Sequence, residues 1–201
     1  MGRGKLDEPE RRRENDGVRL FVAIPLPKVI RAGLEDYVEE WSSAWPEGRW
    51  SKPADWHVTL RFLGEVRDDS VPEVKTWLRE RLAGAEGGVF RLGRTGFFEQ
   101  PGRYVLWAGL NNAEWMDGLA ARFSGVIAGC HPEAREFKAH ITLTRTEVDR
   151  RNDVRFLEFM DSFKGTYLPP EADMAEEVVL YRSELSAKGA KYSVMERVKL
   201  S

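Results

Sequence analysis

The sequence predicts an α+β fold of two lobes flanking a central cleft, and three observations carry that expectation. Amphipathic helical segments are mixed with hairpin-like strand runs, without the regular alternation of a doubly wound parallel sheet. The tetrapeptide His57-Val58-Thr59-Leu60 returns, with one conservative change, as His140-Ile141-Thr142-Leu143. The two halves of the chain therefore read as a weak internal duplication, each contributing one strand with its His and Thr. A length of 201 residues, 42% of them hydrophobic, suffices for one sizeable domain or two small lobes sharing a core.

Met1 to Asp16 are rich in Arg, Glu, Gly and Asp and nearly free of large apolar groups, so residues 1–17 are expected to be a disordered tail ahead of one domain over 18–201. Its Arg11-Arg12-Arg13 run is read as a solvated charge run. Order begins with a strand over Val18 to Ile24, ended by Pro25 and Pro27; Pro27 fits the first turn of a helix carrying Ile30, Leu34, Tyr37, Val38 and Trp41 at helical spacing. After a turn-rich stretch from Trp50 to Trp56 comes the first tetrapeptide strand, closed by Gly64. Ser70-Val71-Pro72-Glu73 marks the next helix, with Ser70 as cap; Val74, Trp77, Leu78 and Leu82 form its apolar side and Gly84 stops it. Two strands are expected around Val89 to Leu92 and Tyr104 to Leu110, joined by Gln100-Pro101-Gly102. A helix from about Ala113 to Ile127 presents Trp115, Leu119, Phe123 and Ile127, and Cys130 is expected to pack inertly at its end. The second tetrapeptide strand, a helix near Asn152 to Phe163, and two strands at Val178 to Tyr181 and Tyr192 to Met195, separated by the turn Ser186-Ala187-Lys188-Gly189, complete the chain.

With average residue usage, a given His is followed by an aliphatic residue, Thr and Leu about once in 1,000 cases, which makes two chance copies on the order of one in 10⁵ or rarer. In a strand His57 and Thr59 share one face while Val58 and Leu60 share the other, and His140, Thr142, Ile141 and Leu143 repeat the arrangement. Two imidazoles and two hydroxyls converging on one cleft suit a phosphate group. The hydroxyls can donate to non-bridging oxygens, one imidazolium can protonate a leaving oxygen, and the other ring, neutral, can take a proton from water. The histidines lie 83 residues apart (140 − 57) with no close-spaced His, Cys or carboxylate around either, so no metal ligation is expected and no cofactor is called for.

Composition narrows the partners. A formal net charge of −2 argues against broad binding to a nucleic-acid backbone, while leaving a small phosphate or the end of an RNA strand compatible. Cys130 is the only cysteine, which excludes an internal disulfide and points to a reducing cytoplasm. No apolar run approaches membrane-spanning length and no signal-peptide core is expected, so the reading has no membrane and no obligatory protein partner.

Four segments carry a family resemblance: Arg19-Leu20-Phe21-Val22-Ala23-Ile24-Pro25; the block His57 to Val66; His140-Ile141-Thr142-Leu143-Thr144-Arg145; and Leu180-Tyr181-Arg182-Ser183 through Gly189-Ala190-Lys191-Tyr192. On these the chain resembles the 2H phosphoesterases, and within them the RNA 2′,3′-cyclic phosphodiesterases, also called 2′-5′ RNA ligase-like proteins. The resemblance implies a bilobal fold with pseudo-twofold symmetry, lobes of antiparallel sheet with outer helices, and a cleft between them. It implies His57 as proton donor to the leaving ribose oxygen, His140 as general base on water, and Thr59 with Thr142 as phosphate-binding hydroxyls. The reaction implied is hydrolysis of an RNA 2′,3′-cyclic phosphate end, or of a cyclic nucleotide, to a 2′-phosphomonoester, with 2′-5′ ligation as its reverse. Arg145, five residues after the second His, matches a position that contacts substrate by pairing with phosphate or stacking on a base. Phe62 holds the analogous place after the first and is a candidate base platform. Arg61 shares the face of His57 if the strand stays regular, with a solvent role as the default; His131 is read as a surface residue. Trp41, Trp77 and Trp115 are assigned to packing. Two alternatives stand beside this reading: a 2H esterase acting on small cyclic phosphates or 2′-5′ oligonucleotides, and a non-catalytic module that binds RNA ends.

Overall fold

The fold is organised about the two tetrapeptide strands, which lie side by side at the middle of one antiparallel sheet. The computed structural model describes residues 17–125, 127, 130, 136–148, 153–186 and 189–201. Residues 1–16 of the expected tail, with its arginine run, and His131 lie outside the described residues, as does the start expected for the last helix at Asn152; Gly17, expected to end the tail, instead opens the first strand by pairing with Arg67. Nine strands are found among the described residues: β1 (Gly17–Pro25), β2 (Arg49–Trp50), β3 (His57–Arg67), β4 (Gly88–Gln100), β5 (Arg103–Leu110), β6 (His140–Glu147), β7 (Ala172–Ala175), β8 (Glu177–Ser186) and β9 (Gly189–Lys199). Four helices accompany them: α1 (Lys28–Ala44), α2 (Val71–Leu82), α3 (Glu114–Arg122) and α4 (Val154–Phe163).

The strand order is β7-β4-β5-β6-β3-β1-β8-β9, with β2 paired to β6 off this path. From the central β3–β6 junction each wing runs outward through three strands: β1, β8 and β9 on one side, β5, β4 and β7 on the other. This is the pseudo-twofold, bilobal arrangement. The wings touch in register at a single pair, Val58 opposite Ile141, so the junction is narrow and the two sheets diverge from it.

The lobes do not follow the chain as two consecutive halves. Helix α1 follows β1 but packs against β4 and β7 of the opposite wing, while α2 and α3 lie on the first wing against β9 and β3. Helix α4 joins α1 and its C-cap residue Trp45 through aromatic contacts, with Trp45–Phe156 centroids 5.1 Å apart and Trp41–Phe163 4.9 Å apart. The crossover places one apolar cluster across both wings. Val18, Leu20, Val22 and Ile24 of β1 enter it beside Leu106 and Ala108 of β5, all 6% exposed or less. Burial on that scale is the main stabilising term of the fold.

Several local expectations change in the structure. Ser70 makes no capping hydrogen bond, because a 3₁₀ turn over Asp68–Ser70 already places it in the right-handed helical region and its hydroxyl bonds Asp69 Oδ1 at 3.1 Å. Asp153 does cap α4, accepting from the Phe156 N–H at 3.0 Å. Helix α3 ends at Arg122, five residues short of Ile127: Ser124 precedes Gly125, whose φ of 101° no helix tolerates. Phe123, Ile127 and Cys130 are nonetheless buried, so the apolar spacing marks core-facing residues beyond the helix, Cys130 among them. Strand β4 is much longer than Val89 to Leu92, continuing past Gly93 through an irregularity between Leu92 and Thr95. The short β2 and β7 carry no pattern of their own in the sequence.

Candidate active site

Both tetrapeptides contain a β-bulge at the same residue, and the bulge decides which side chains reach the cleft. In the β1–β3 ladder Ala23 lies opposite Thr59 and Val22 opposite Arg61, which leaves Leu60 as the extra residue. In the β5–β6 ladder Trp107 lies opposite Thr142 and Leu106 opposite Thr144, which leaves Leu143 extra. A bulge advances one strand by a residue against its partner and inverts the alternation beyond it. His140 and Thr142 therefore share the cleft face with Arg145, at an odd offset of five, and His57 and Thr59 share it with Phe62. Arg61 is turned away from the cleft: it pairs with core-facing Val22, and its Nε is buried without a hydrogen-bond partner among the described residues. Its expected place beside His57 assumed a regular strand.

The carbonyls released by the second bulge are satisfied from the segment preceding β3. Ser51 N–H donates to Leu143 O at 2.8 Å, and the Ser51 hydroxyl lies 2.9 Å from Thr142 O and 2.8 Å from Leu143 O. That hydroxyl accepts from Trp56 Nε1 at 3.0 Å. The turn-rich stretch before the first tetrapeptide is thus tied to the backbone of the second, holding the two strands in one frame.

Each histidine is locked in the same way. Nδ1 of His57 lies 2.6 Å from the carbonyl of Asp55, and Nδ1 of His140 lies 2.6 Å from the carbonyl of Lys138. A carbonyl only accepts, so each Nδ1 carries the hydrogen and Nε2 is the nitrogen that titrates. Val58 opposite Ile141 is the registered pair of β3 and β6, and His57, Thr59, His140 and Thr142 are its immediate neighbours along the two strands. All four side chains are half-buried.

The walls are aromatic. His57 lies 4.9 Å from Phe21, 5.9 Å from Tyr181 and 5.3 Å from Tyr192, between ring centroids. His140 meets Phe98 edge-on at 5.0 Å and Trp107 at 6.4 Å. Burial lowers the His57 imidazole to about 4, with the positive charges of Arg145 and His140 acting in the same direction and the Asp55 carbonyl opposing them. His140 is lowered as well, chiefly by burial, then by Lys138 and Arg145. Arg145 is exposed, and its charge bears on His57, His140 and Tyr192. The structure thus brings His57, Thr59, His140, Thr142 and Arg145 to one face. Phe62 stands at its margin, 38% exposed and 5.9 Å from Phe21. Among the described residues no group of three or more His, Cys, Asp or Glu side chains is placed to hold a metal ion.

A family model described as LigT like Phosphoesterase matches residues 24–107, which include the first tetrapeptide but not the second. A Thermus thermophilus protein named RNA 2',3'-cyclic phosphodiesterase is 34% identical over 196 residues, covering 91% of this chain and 90% of that protein. The chain belongs to the LigT-like phosphoesterase family. A Methanothermobacter thermautotrophicus relative of the same name is 28% identical over 91% of this chain and 99% of its own length. E. coli LigT, crystallised with 3'-AMP, has a TM-score of 0.65 at 26% identity, covering 92% of this chain and 99% of that one. These full-length matches bring the second tetrapeptide within the LigT-like likeness.

Sequence reasoning named Phe21, Tyr181 and Tyr192 of this LigT-like site only as parts of longer matching segments, and did not name Asp55, Phe98, Trp107 or Lys138. A signal existed for two of them: Asp55 and Lys138 each stand two residues before a tetrapeptide histidine.

Proposed function

We propose that this chain hydrolyses RNA 2′,3′-cyclic phosphate ends to 2′-phosphomonoesters, with His57 as acid and His140 as base. The observation that carries the reading is the pair of matched His-x-Thr faces, each imidazole fixed through Nδ1, meeting at the junction of two pseudo-symmetric wings. Water attacks phosphorus as His140 Nε2 removes its proton; the bond from phosphorus to O3′ breaks as His57 Nε2 delivers a proton to that oxygen. The hydroxyls of Thr59 and Thr142 donate to the non-bridging oxygens, and Arg145 balances the charge of the phosphoryl group. No step draws on a metal. Run backwards, with an RNA 5′-hydroxyl in place of water, the same groups make a 2′-5′ linkage.

Both imidazoles are held below their ordinary value, chiefly by burial. An anionic cyclic phosphate favours the charged form of a neighbouring ring, so substrate itself restores the proton that His57 must deliver. A cavity of about 670 Å³ opens beside His57, with Tyr181 and Tyr192 among its walls. It has room for the nucleoside of an RNA end, and the relatives named for RNA support that substrate. Among the described residues no helix is long and apolar enough to cross a membrane. The single cysteine fits a cytoplasmic setting, and the apolar cluster common to both wings supports a single domain over 18–201.

The deciding experiment incubates the protein with adenosine 2′,3′-cyclic phosphate and with an RNA ending in a cyclic phosphate, and follows the products by ³¹P NMR. Formation of 2′-phosphate, in EDTA as well as without it, supports the reading. Formation of 3′-phosphate, turnover only with an added divalent ion, or binding without turnover overturns it, the last outcome favouring a module that recognises RNA ends.

A further inference from the structure

The two tetrapeptides are near-copies, and their rings are tied to the backbone alike, yet the proposed mechanism gives them opposite proton roles. Arg145 does not separate them, since its charge bears on both histidines. The residue whose carbonyl holds each ring does differ, and differs in sign: Asp55 before His57, Lys138 before His140.

Each of these side chains acts on the aromatic wall of its own histidine. The Lys138 ammonium sits 4.9 Å from the Trp107 ring centroid and 5.2 Å from that of Phe98, the ring that meets His140 edge-on. Asp55 lines the cavity that His57 opens onto, and its charge bears on Tyr181 and Tyr192, the two tyrosines packed against His57. We propose that Asp55 and Lys138 are positioning residues that set the division of labour, the anion keeping a proton on His57 and the cation keeping His140 neutral.

Beside Asp55, the cavity at His57 is lined by Lys28, Arg31 and Arg197 against Asp173, Glu176 and Glu177, three cations to three carboxylates, and Lys52 acts on Asp55 itself. Around His57, β6 contributes Arg145 and His140, β8 and β9 contribute tyrosines whose hydroxyls burial raises, and β1 contributes the uncharged Phe21. Around His140, Lys138 and Arg145 lie on its own segment, β4 and β5 present uncharged Phe98 and Trp107, and β3 presents His57. Burial depresses both rings and a bound phosphate anion raises both. The opposed charges two residues upstream then decide which ring keeps the proton.

The proposal rests on the cyclic phosphodiesterase reading, and two measurements keep their failures apart. The first is the pH profile of kcat, with adenosine 2′,3′-cyclic phosphate, for wild type, Lys138→Met, Asp55→Asn and Lys138→Arg. Removing the cation moves the acid limb to higher pH by about 0.5–1 unit; removing the anion moves the alkaline limb to lower pH by a similar amount; Lys138→Arg leaves wild-type limbs. The second is histidine ring NMR in saturating inorganic phosphate, which needs no turnover. In the phosphate complex His57 titrates above His140, and each charge-removing variant narrows the gap. Limbs that stay put, limbs that move together, or a gap that is absent or unchanged overturn the proposal. Absent turnover with the NMR gap intact would instead sink only the substrate reading. Lys138 is exposed, so its variants test the proposal even if Asp55→Asn does not fold.

Discussion

At the scale of single residues, two titrating nitrogens and one guanidinium carry the chemistry, and their expected contributions differ in kind. A positioned acid or base is worth at least ~10²-fold in rate, so His57→Ala and His140→Ala should each lower kcat by that factor or more, measured with a nucleoside 2′,3′-cyclic phosphate. A near-wild-type kcat in either variant removes that residue from its role. Arg145→Met removes a charge-assisted contact worth about 1.5–3 kcal/mol, and should lower kcat/KM by roughly 10- to 100-fold. An unchanged kcat/KM would return Arg145 to the solvated strand-end charge its exposure allows. These residues were legible because a repeated word survives any ignorance of the fold. Asp55 and Lys138 were legible only by their matched position two residues before each histidine: a charged residue there otherwise looks like a solvated flank, and their carbonyl bonds to the two rings are what give the position meaning.

At the scale of elements, the bulges at Leu60 and Leu143 do what alternation alone cannot, by bringing a residue five positions on to the same face as the histidine. Period-two reasoning found His and Thr together, but the regular strand on which it could set Arg61 beside His57 is interrupted, because a bulge is a property of two paired strands and the partner strands lie elsewhere in the chain. The apolar spacing overextends helix α3 for a related reason: Ile127 and Cys130 are buried past Gly125, although neither belongs to the helix. Two glycines, one in β4 and one in α3, give a sharp test of packing. A Cβ at Gly96 would lie 2.3 Å from the Trp107 ring. Gly96→Ala should therefore push Trp107 out of the wall beside His140, costing about 1–3 kcal/mol in urea unfolding and lowering kcat as well. A Cβ at Gly118, within α3, would meet nothing within 4 Å; Gly118→Ala should stabilise by about 0.4–1 kcal/mol and leave kcat alone. Equal effects of the two substitutions would mean that Trp107 is not held as the structure has it.

At the scale of the whole molecule, duplication was visible in the sequence, but the exchange of α1 between wings was not, since apolar spacing says which face is buried and nothing about which sheet covers it. That exchange packs both wings into one core while the two histidines remain at their junction, partly withdrawn from water, and the withdrawal has a consequence for stability. Burial holds His57 at about 4, against an ordinary 6.5, and holds His140 below its ordinary value. Between the folded and unfolded values the unfolded chain binds protons that the folded chain refuses, so stability is fully present above pH 6.5 and is lost as pH falls from there toward 4. A shift the size of His57's corresponds to at most about 3 kcal/mol, less where cleft water solvates the ring. Carboxylates held low by their partners, such as exposed Asp69 beside Arg67, lose their contribution only below their ordinary 3.8, in a separate window. Calorimetry should therefore show Tm falling between about pH 6.5 and 4.5. The slope should be shallower in His57→Ala, and partly recovered in wild type by inorganic phosphate, which binds the protonated pair preferentially. A Tm that is flat across that interval, or a slope that His57→Ala leaves unchanged, would show that the histidines titrate as they do in water and that the cleft does not desolvate them.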